Sequence, residues 1–332
     1  MRQRPAAILV LVVGIATLLI GGSRTMLDTS ILVAIYALIA LSLGLVFGQA
    51  GIMSLGQAAF AAIGAYATAI VTTHYGAPPL VGLLCAVVLP TLIAYPVARA
   101  LIRLSHLALA LATLFLGEIV LVVLRAGGDF TGGFIGISGI PKLSFAPTPL
   151  AYHLLAWGFV LVAVILYTNL VGSAGGRALN TLRNDPLRAQ ADGDAGAHRL
   201  SVLFAFAAAM AGAAGWLYAH YVSYLAPESL SVNLSISVLL MVVIGGSRYV
   251  LGPVAGALLL TVLNDQIPPE ILGLLYGGAL VVVLLIAPNG VLGVVDDIWQ
   301  RWRPRRTPDR HATARATREV VATPLSQTGE QQ

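Results

Sequence analysis

The densest internal group of charged side chains in this chain lies in one interval, Gly175–Arg199, which reads GGRALNTLRNDPLRAQADGDAGAHR. Long apolar runs flank it on both sides. Arginine and aspartate concentrated between such runs suit contact with a soluble partner, because the surrounding chain is almost devoid of charge. The interval is therefore the first candidate site, and its residue types suit the docking of a soluble partner protein.

Two short helices are predicted inside this interval. Arg177–Leu182 can form the first; Asp185 is a suitable N-cap, Pro186 suits the first helical position, and Gly193 can end a second helix over Leu187–Ala191. The alternative is an ordinary loop whose arginines only set the membrane topology. In the docking interpretation Leu179, Leu182 and Leu187 enter a groove of the partner, and Arg183 and Arg188 orient them. Arg177, at the start of the first helix, belongs to the same candidate site.

Side chains suited to catalysis or metal binding are scattered. Cys85 is the single cysteine, which excludes an intrachain disulfide and a cysteine metal cluster. The six histidines are dispersed, and neither HExxH nor GxSxG occurs. The only lysine, Lys142, follows Pro141 in a loop and belongs to no P-loop motif. We expect no catalytic activity, metal or cofactor in this chain, and any ATPase must be another polypeptide.

The composition predicts an all-α polytopic membrane protein. With 332 residues, 58% hydrophobic and 10% charged, the chain has too little polar surface for a soluble globule. The apolar runs approach the 20 or so residues of a membrane-spanning helix, which predicts about ten spans. A cleaved signal peptide is the alternative for the first. The predicted spans are 6–20, 29–47, 58–73, 80–101, 107–124, 150–171, 200–222, 234–244, 254–263 and 271–287.

Basic residues set the predicted orientation. With both termini cytoplasmic and ten spans, the inside receives sixteen of the 19 Lys and Arg, whereas the outside receives only Arg24, Arg125 and Lys142. That asymmetry follows the positive-inside rule. We expect a transmembrane domain over residues 1–302, and a disordered basic cytoplasmic tail over 303–332 that is held near anionic lipid. The basic residues mark topology, so nucleic acid is excluded as a partner.

Glycines interrupt the apolar runs at two elbows, one in each half of the chain. Such breaks free backbone groups to line a pathway and let packed helices rock. Ser54 and Gln57 are the polar side chains of the first elbow, where they either touch a solute or satisfy the elbow itself. Close packing is the alternative for glycines, and we favour it for the runs 64–67 and 211–215. The candidate pathway or gate glycines are Gly48, Gly51 and Gly56 in the first elbow, with Gly245 and Gly246 in the second.

Two glutamates need a role. Glu118 lies inside the fifth apolar run, where a charged carboxylate costs about 2.5–3.5 kcal/mol, so we expect it to face the bundle interior. A structural hydrogen bond and a role in transport are both open, and an ion-coupled secondary carrier using Glu118 is the alternative function. Glu228, beside Pro227, is either an outer-loop cap or a docking residue for a binding protein.

Three stretches resemble permease subunits of the branched-chain amino acid ABC importers, the LivM-like family. They are Tyr36–Ala69 (YALIALSLGLVFGQAGIMSLGQAAFAAIGAYATA), Gly176–Gly193 continuing to Ala211–Ser231, and Leu239–Ala257 (LLMVVIGGSRYVLGPVAGA). The resemblance runs from about Thr29 to Gly293. It departs from the family pattern at Asp192, where a small or apolar residue is usual, and at Arg248 in the second elbow, where the family typically reads GGLG followed by a small residue.

The resemblance implies an importer powered from outside this chain. Arg177–Gly193 becomes the coupling loop that contacts ATP-binding-cassette subunits, which bind the ATP and Mg. The implied partners are two ATPase chains, a second related permease and a periplasmic or lipoprotein solute-binding protein. The implied location is the bacterial inner membrane, and branched-chain or related amino acids are the implied cargo.

Overall fold

Helices form nearly all of the structure, a computed structural model that describes residues 4–101, 103–184, 196–266, 278 and 290–294. Short 3-10 turns occur at Gly128–Phe130 and Pro227–Leu230, and two strands pair, β1 (Ile137–Ser138) and β2 (Tyr224–Leu225). The helices are α1 (Arg4–Ile20), α2 (Arg24–Ala50), α3 (Gln57–Thr73), α4 (Pro79–Leu101), α5 (His106–Ala126), α6 (Pro149–Val171), α7 (Ala174–Asn184), α8 (Gly196–Val222), α9 (Val232–Gly245) and α10 (Gly252–Gln266).

The predicted polytopic helical architecture is confirmed. Six segments of the described chain are long and apolar enough to cross a membrane, and three further apolar helices are shorter. These nine correspond to nine of the ten predicted runs. The tenth, 271–287, lies outside the described residues, so the count of ten spans and the orientation of the termini stay predictions. The tail from 303 and the domain boundary before it lie outside them as well.

Helix α2 is the centre of the bundle. Its side chains are buried on every side, with Ile31, Ile35 and Leu41 among the largest fully enclosed ones. The reason is its composition, since a helix that is apolar all round is stable only when other elements surround it. It packs against α6, α8 and α10. Polar bonds orient these neighbours, as Trp157 of α6 donates to the Ser30 hydroxyl at 3.1 Å.

The first helix joins the bundle through α6. Thr17 and His153 are hydrogen-bonded across this pair at 3.0 Å. The predicted first span is therefore packed against the rest of the protein.

Small residues bring α3, α4 and α8 into close contact. A methyl group added at Gly64 would lie 2.6 Å from the Cα of Gly212, and one added at Gly212 would lie 1.9 Å from the Ala86 carbonyl oxygen. Gly215 approaches the Ala61 carbonyl as closely. Only glycine permits such backbone contact. The packing interpretation of both glycine-alanine runs is confirmed.

The long loop between α5 and α6 covers one end of the bundle. Strands β1 and β2 tie it to the loop after α8, with Ile137 opposite Leu225 in an antiparallel pair. Gly136 has φ +87° and lies against the Leu225 carbonyl, where a methyl group would meet oxygen at 2.2 Å. This end carries Arg24, Arg125 and Lys142, the cations predicted to lie outside.

Candidate functional site

The first elbow is an irregular backbone segment between α2 and α3. Helix α2 continues through Gly48 to Ala50, and Gly51 ends it in the left-handed conformation, φ +68°. The chain then runs without regular structure until α3 begins at Gln57. The predicted break is therefore confirmed, with Gly48 in the last turn of α2 and Gly51 and Gly56 within the break.

The second elbow lies between α9 and α10. Gly245 is the last residue of α9, and Gly246 follows with φ +104°. A methyl group at Gly245 would lie 1.9 Å from the Gly252 carbonyl oxygen, so the turn is tight. The predicted break is confirmed here too, and Arg248 in this turn is exposed.

The two elbows meet. A methyl group added at Gly48 would lie 2.6 Å from the Ser247 carbonyl oxygen and 2.8 Å from the Tyr167 hydroxyl. That hydroxyl donates to the Gly44 carbonyl at 2.9 Å, and Pro253 packs against Gly44 from the other side. The end of α2 is thus held between α6 and the start of α10. A displacement of one elbow would therefore be transmitted to the other.

Buried hydroxyl groups satisfy the backbone that the first elbow leaves free. The Thr113 hydroxyl of α5 accepts from the Leu55 amide at 2.9 Å, and the Ser235 hydroxyl of α9 accepts from the Ala58 amide at 3.2 Å. Ser54 accepts from the Gly56 amide at 3.3 Å. Irregular backbone at membrane depth is tolerated only where protein groups satisfy it. This bond supports the structural role of Ser54, and its contact with a solute stays a prediction.

Gln57 has an unsatisfied group in this conformation. Its side chain is 1% exposed, and its Oε1 accepts from the Ser42 hydroxyl at 3.2 Å. Its Nε2 is buried without a hydrogen-bond partner among the described residues. Such a group costs about 1–3 kcal/mol. Gln57 is therefore the side chain of the elbow with a donor to offer, while its role in a pathway stays a prediction.

Glu118 does not face the bundle interior, in contrast to our expectation. Its side chain is exposed on α5, on the same face as the exposed Phe115 and Val122. The reason is helical geometry, because Thr113 faces the first elbow and positions five apart lie about 140° apart around a helix. Glu118 is consequently separated from Gln57 and from both elbows.

The first predicted helix of the charged interval is confirmed as α7. Its Arg183 points back into the bundle, where its guanidinium donates to the Gly48 carbonyl oxygen. Its side chain also lies against Gly51, with Cγ and Nε each 3.3 Å from where a methyl group would be. Arg177 is exposed and bonds the nearby Gly172 carbonyl at 3.2 Å. One helix therefore reaches the first elbow and also presents an outward cation.

The leucines of α7 are placed differently from the docking interpretation. Leu179 is 4% exposed and belongs to the protein's own core, and Leu182 packs against the start of α8 at Gly196. These leucines anchor α7, because the apolar side of the helix packs against the bundle. Helix α8 also begins inside the predicted interval, so its last four residues are helical. The remaining predicted residues lie outside the described residues: Asp185, Pro186, Leu187, Arg188, Asp192 and Gly193.

Glu228 lies at the opposite end of the bundle, in the turn Pro227–Leu230. Its carboxylate pairs with Arg125 at the end of α5, with an Nη2 to Oε1 distance of 2.8 Å. Both side chains are partly exposed. The pair joins α5 to the turn before α9, and docking of a binding protein at Glu228 stays a prediction.

Sequence reasoning missed the hydroxyls that support the first elbow. Ser42, Thr113 and Ser235 stand out only as isolated polar residues in apolar helices. Their presence was a signal, but the three hydroxyls lie in three different helices, α2, α5 and α9. Nothing in their spacing along the chain indicates that they meet.

Comparison with known proteins adds a family match. Residues 25–284 match the protein family described as "Branched-chain amino acid transport system / permease component". The high-affinity branched-chain amino acid transport system permease protein LivM of Escherichia coli K12 is 32% identical over 304 residues, covering 81% of this chain and 70% of that protein. The Salmonella typhimurium LT2 LivM is 30% identical with the same coverage.

A more distant relative comes from an archaeon. The probable branched-chain amino acid transport permease protein LivM of Methanocaldococcus jannaschii is 26% identical over 312 residues, covering 78% of this chain and 90% of that protein. No solved structure matches the chain at comparable significance.

Proposed function

The chain belongs to the permease family of branched-chain amino acid transport systems, and we propose that it carries branched-chain or related amino acids inward by alternating access. It is the membrane subunit of an ABC importer, and its helices provide the path for the solute. The energy comes from ATP hydrolysed elsewhere, since this sequence has no P-loop. The two glycine elbows act as the gate.

The contact between Arg183 and Gly48 carries this proposal. Helix α7 begins the charged interval, and its Arg183 bonds the last turn of α2 where the two elbows meet. A force applied to α7 by a soluble motor would reach the first elbow through one guanidinium. Coupling needs an element with two arrangements that both sites bias, and in this proposal the pair of glycine elbows is that element.

The proposed assembly contains two ATPase subunits, which hold ATP and Mg, and a second related permease. A periplasmic or lipoprotein solute-binding protein delivers the cargo at the end that carries Glu228. The charged interval 175–199 is the coupling loop, on the cytoplasmic side of a bacterial inner membrane. The excess of arginine at that side supports this orientation, with both termini inside.

An ion-coupled carrier is not favoured. A coupling carboxylate should face the bundle interior or a water-filled cavity beside the solute path. Glu118 is instead exposed on the far face of α5 from Thr113. We therefore expect Glu118→Gln to leave ATP-driven uptake intact. Loss of all uptake in this variant would instead favour the ion-coupled carrier.

Reconstitution tests the proposal directly. The chain would be placed in proteoliposomes alone and together with the co-expressed ATPase, second permease and binding protein, and uptake of radiolabelled leucine would be measured. We expect uptake only with ATP and all partners present. Gradient-driven uptake by the chain alone would overturn the importer, and no uptake under any condition would indicate a membrane scaffold.

A further inference from the structure

A cavity lies away from the elbows, at the end of the bundle where α2 and α6 begin and α8 ends. Its volume is about 370 Å³, within the range of small-molecule sites. Polar and aromatic side chains line it: Arg24, Asp28, Lys142, Tyr152, His220 and Tyr221. Neither the elbows nor the charged interval contributes to it.

The charges of this cavity are largely unpaired. Among the described residues, neither Arg24 nor Lys142 has an ion-pair partner within 4.0 Å. The ion pair at this end of the bundle joins Arg125 to Glu228 instead. Asp28 accepts a hydrogen bond from the Tyr221 hydroxyl through Oδ1 at 2.8 Å. No other described donor bonds that carboxylate, which leaves Oδ2 able to accept. Two cations and one carboxylate oxygen thus face a shared space.

His220 also lines the cavity, and its ring carries a buried acceptor. Its Nδ1 lies 2.7 Å from the Pro141 carbonyl, so this nitrogen carries the proton in the neutral ring. The other nitrogen, Nε2, is then an acceptor, and it is buried without a partner among the described residues. The ring is 1% exposed and held edge-on by Trp216 at 5.2 Å. A buried acceptor without a partner calls for a donor, which a ligand or a water can supply.

Apolar groups complete the wall. Ala146 and Pro147 line it from the loop before α6, and Pro149 lines it from the first turn of that helix. The Tyr152 and Tyr221 rings pack 5.3 Å apart beside them. A ligand with an apolar portion would find contact there. The cavity therefore combines cations, a carboxylate with an imidazole acceptor, and an apolar side.

We propose that this cavity binds a small zwitterion at the outer end of the bundle, with its anionic group on Arg24 and Lys142 and its ammonium on Asp28, beside His220. A free α-amino acid has this chemistry, and so does a phosphatidylethanolamine headgroup. The choice of the amino acid rests on the proposed function, whereas the charge pattern of the cavity does not. The site would hold the solute before it enters the path.

Binding to the purified full chain in dodecyl maltoside tests the proposal. The probes are L-leucine, L-leucine methyl ester, which lacks the carboxylate, and N-acetyl-L-leucine, which lacks the ammonium. We expect Asp28→Asn to weaken leucine binding about tenfold or more, as loss of a charge-assisted bond does, and to leave N-acetyl-leucine unaffected. Lys142→Gln should weaken leucine and N-acetyl-leucine alike and leave the methyl ester unaffected.

Asp129→Asn is the matched control, because Asp129 is an exposed carboxylate at the same end but outside the cavity. Melting temperatures confirm folding, and the exposed Lys142 provides the variant least able to perturb it. Native mass spectrometry forms the second arm: retained phosphatidylethanolamine, lost in both cavity variants, assigns the site to a lipid headgroup. Equal leucine affinity in all variants with no lipid difference overturns the site, while ATP-driven uptake in the complex separately decides the proposed function.

Discussion

Arg183 of α7 donates a hydrogen bond to the carbonyl oxygen of Gly48, in the last turn of α2. The bond joins the charged interval to the point where the two glycine elbows touch, since Gly48 itself lies against the Ser247 carbonyl. Gly48 has no side chain to stand between the guanidinium and the backbone. The residue that was expected to orient a partner instead reaches the first elbow.

Arg183→Gln should separate coupling from assembly. Loss of a hydrogen bond from a charged group costs about 1.5–3 kcal/mol, so we expect ATP-driven leucine uptake to fall about tenfold or more. Co-purification of the ATPase subunits should persist, because Arg183 faces inward. Arg103→Gln is the control, an exposed arginine outside the interval. Loss of ATPase binding in Arg183→Gln would instead make this arginine a docking residue.

Gly212→Ala should destabilise the contact of α8 with α4. The added methyl group would lie 1.9 Å from the Ala86 carbonyl oxygen, and backbone must move to admit it. Overpacking of this kind costs about 1–3 kcal/mol, which would appear as a lower melting temperature of the purified protein. Gly158→Ala is the control, because nothing lies within 4 Å of its added methyl group. Equal melting temperatures for the two variants would contradict the close packing.

Gln57→Met should distinguish a structural role from a pathway role. The change removes a buried Nε2 that has no described partner, while the Ser42 hydroxyl keeps its bond to the Ile39 carbonyl at 2.6 Å. We expect an unchanged or higher melting temperature together with reduced uptake. Gln57→Glu should lower the melting temperature, because it buries a charge. A large loss of stability in the methionine variant would show that the amide supports the fold.

Glu228→Gln should alter docking more than stability. The Arg125 to Glu228 pair is 34% and 51% exposed, and pairs of that exposure contribute about 0–1 kcal/mol. The melting temperature should therefore hold, while affinity for the solute-binding protein, measured by surface plasmon resonance, should fall and lose part of its salt dependence. Asp129→Asn serves as the control carboxylate. An unchanged affinity would leave Glu228 as an anchor for α5 only.

Helix existence was predictable because hydropathy is a local property. Every apolar run that falls in the described chain became a helix, and Gly51 and Gly246 mark breaks that their positive φ angles require. The boundaries moved where tertiary contacts extended a helix, as at Gly196, where α8 begins within the charged interval. The first helix of that interval was predictable from its own residues.

The directions of side chains were not predictable in the same way. Glu118 was expected to face the bundle interior and is instead exposed, because burial on α5 depends on which face of the helix meets the first elbow. Leu179 was expected to contact a partner protein and is instead buried in the protein's own core. A sequence read alone contains no information about which neighbour a helix face will find.

The sequence by itself determined that this is a helical membrane protein, because composition and apolar run length are local properties of the chain. The permease family was indicated by the resemblance of three stretches to known members. Only the tertiary structure decided which distant residues share a site. Ser42, Thr113 and Ser235 meet at one elbow, and Arg24, Asp28 and His220 line one cavity, although each set is dispersed over nearly 200 residues. The reason is that helix packing, and no periodicity of the chain, sets these neighbours.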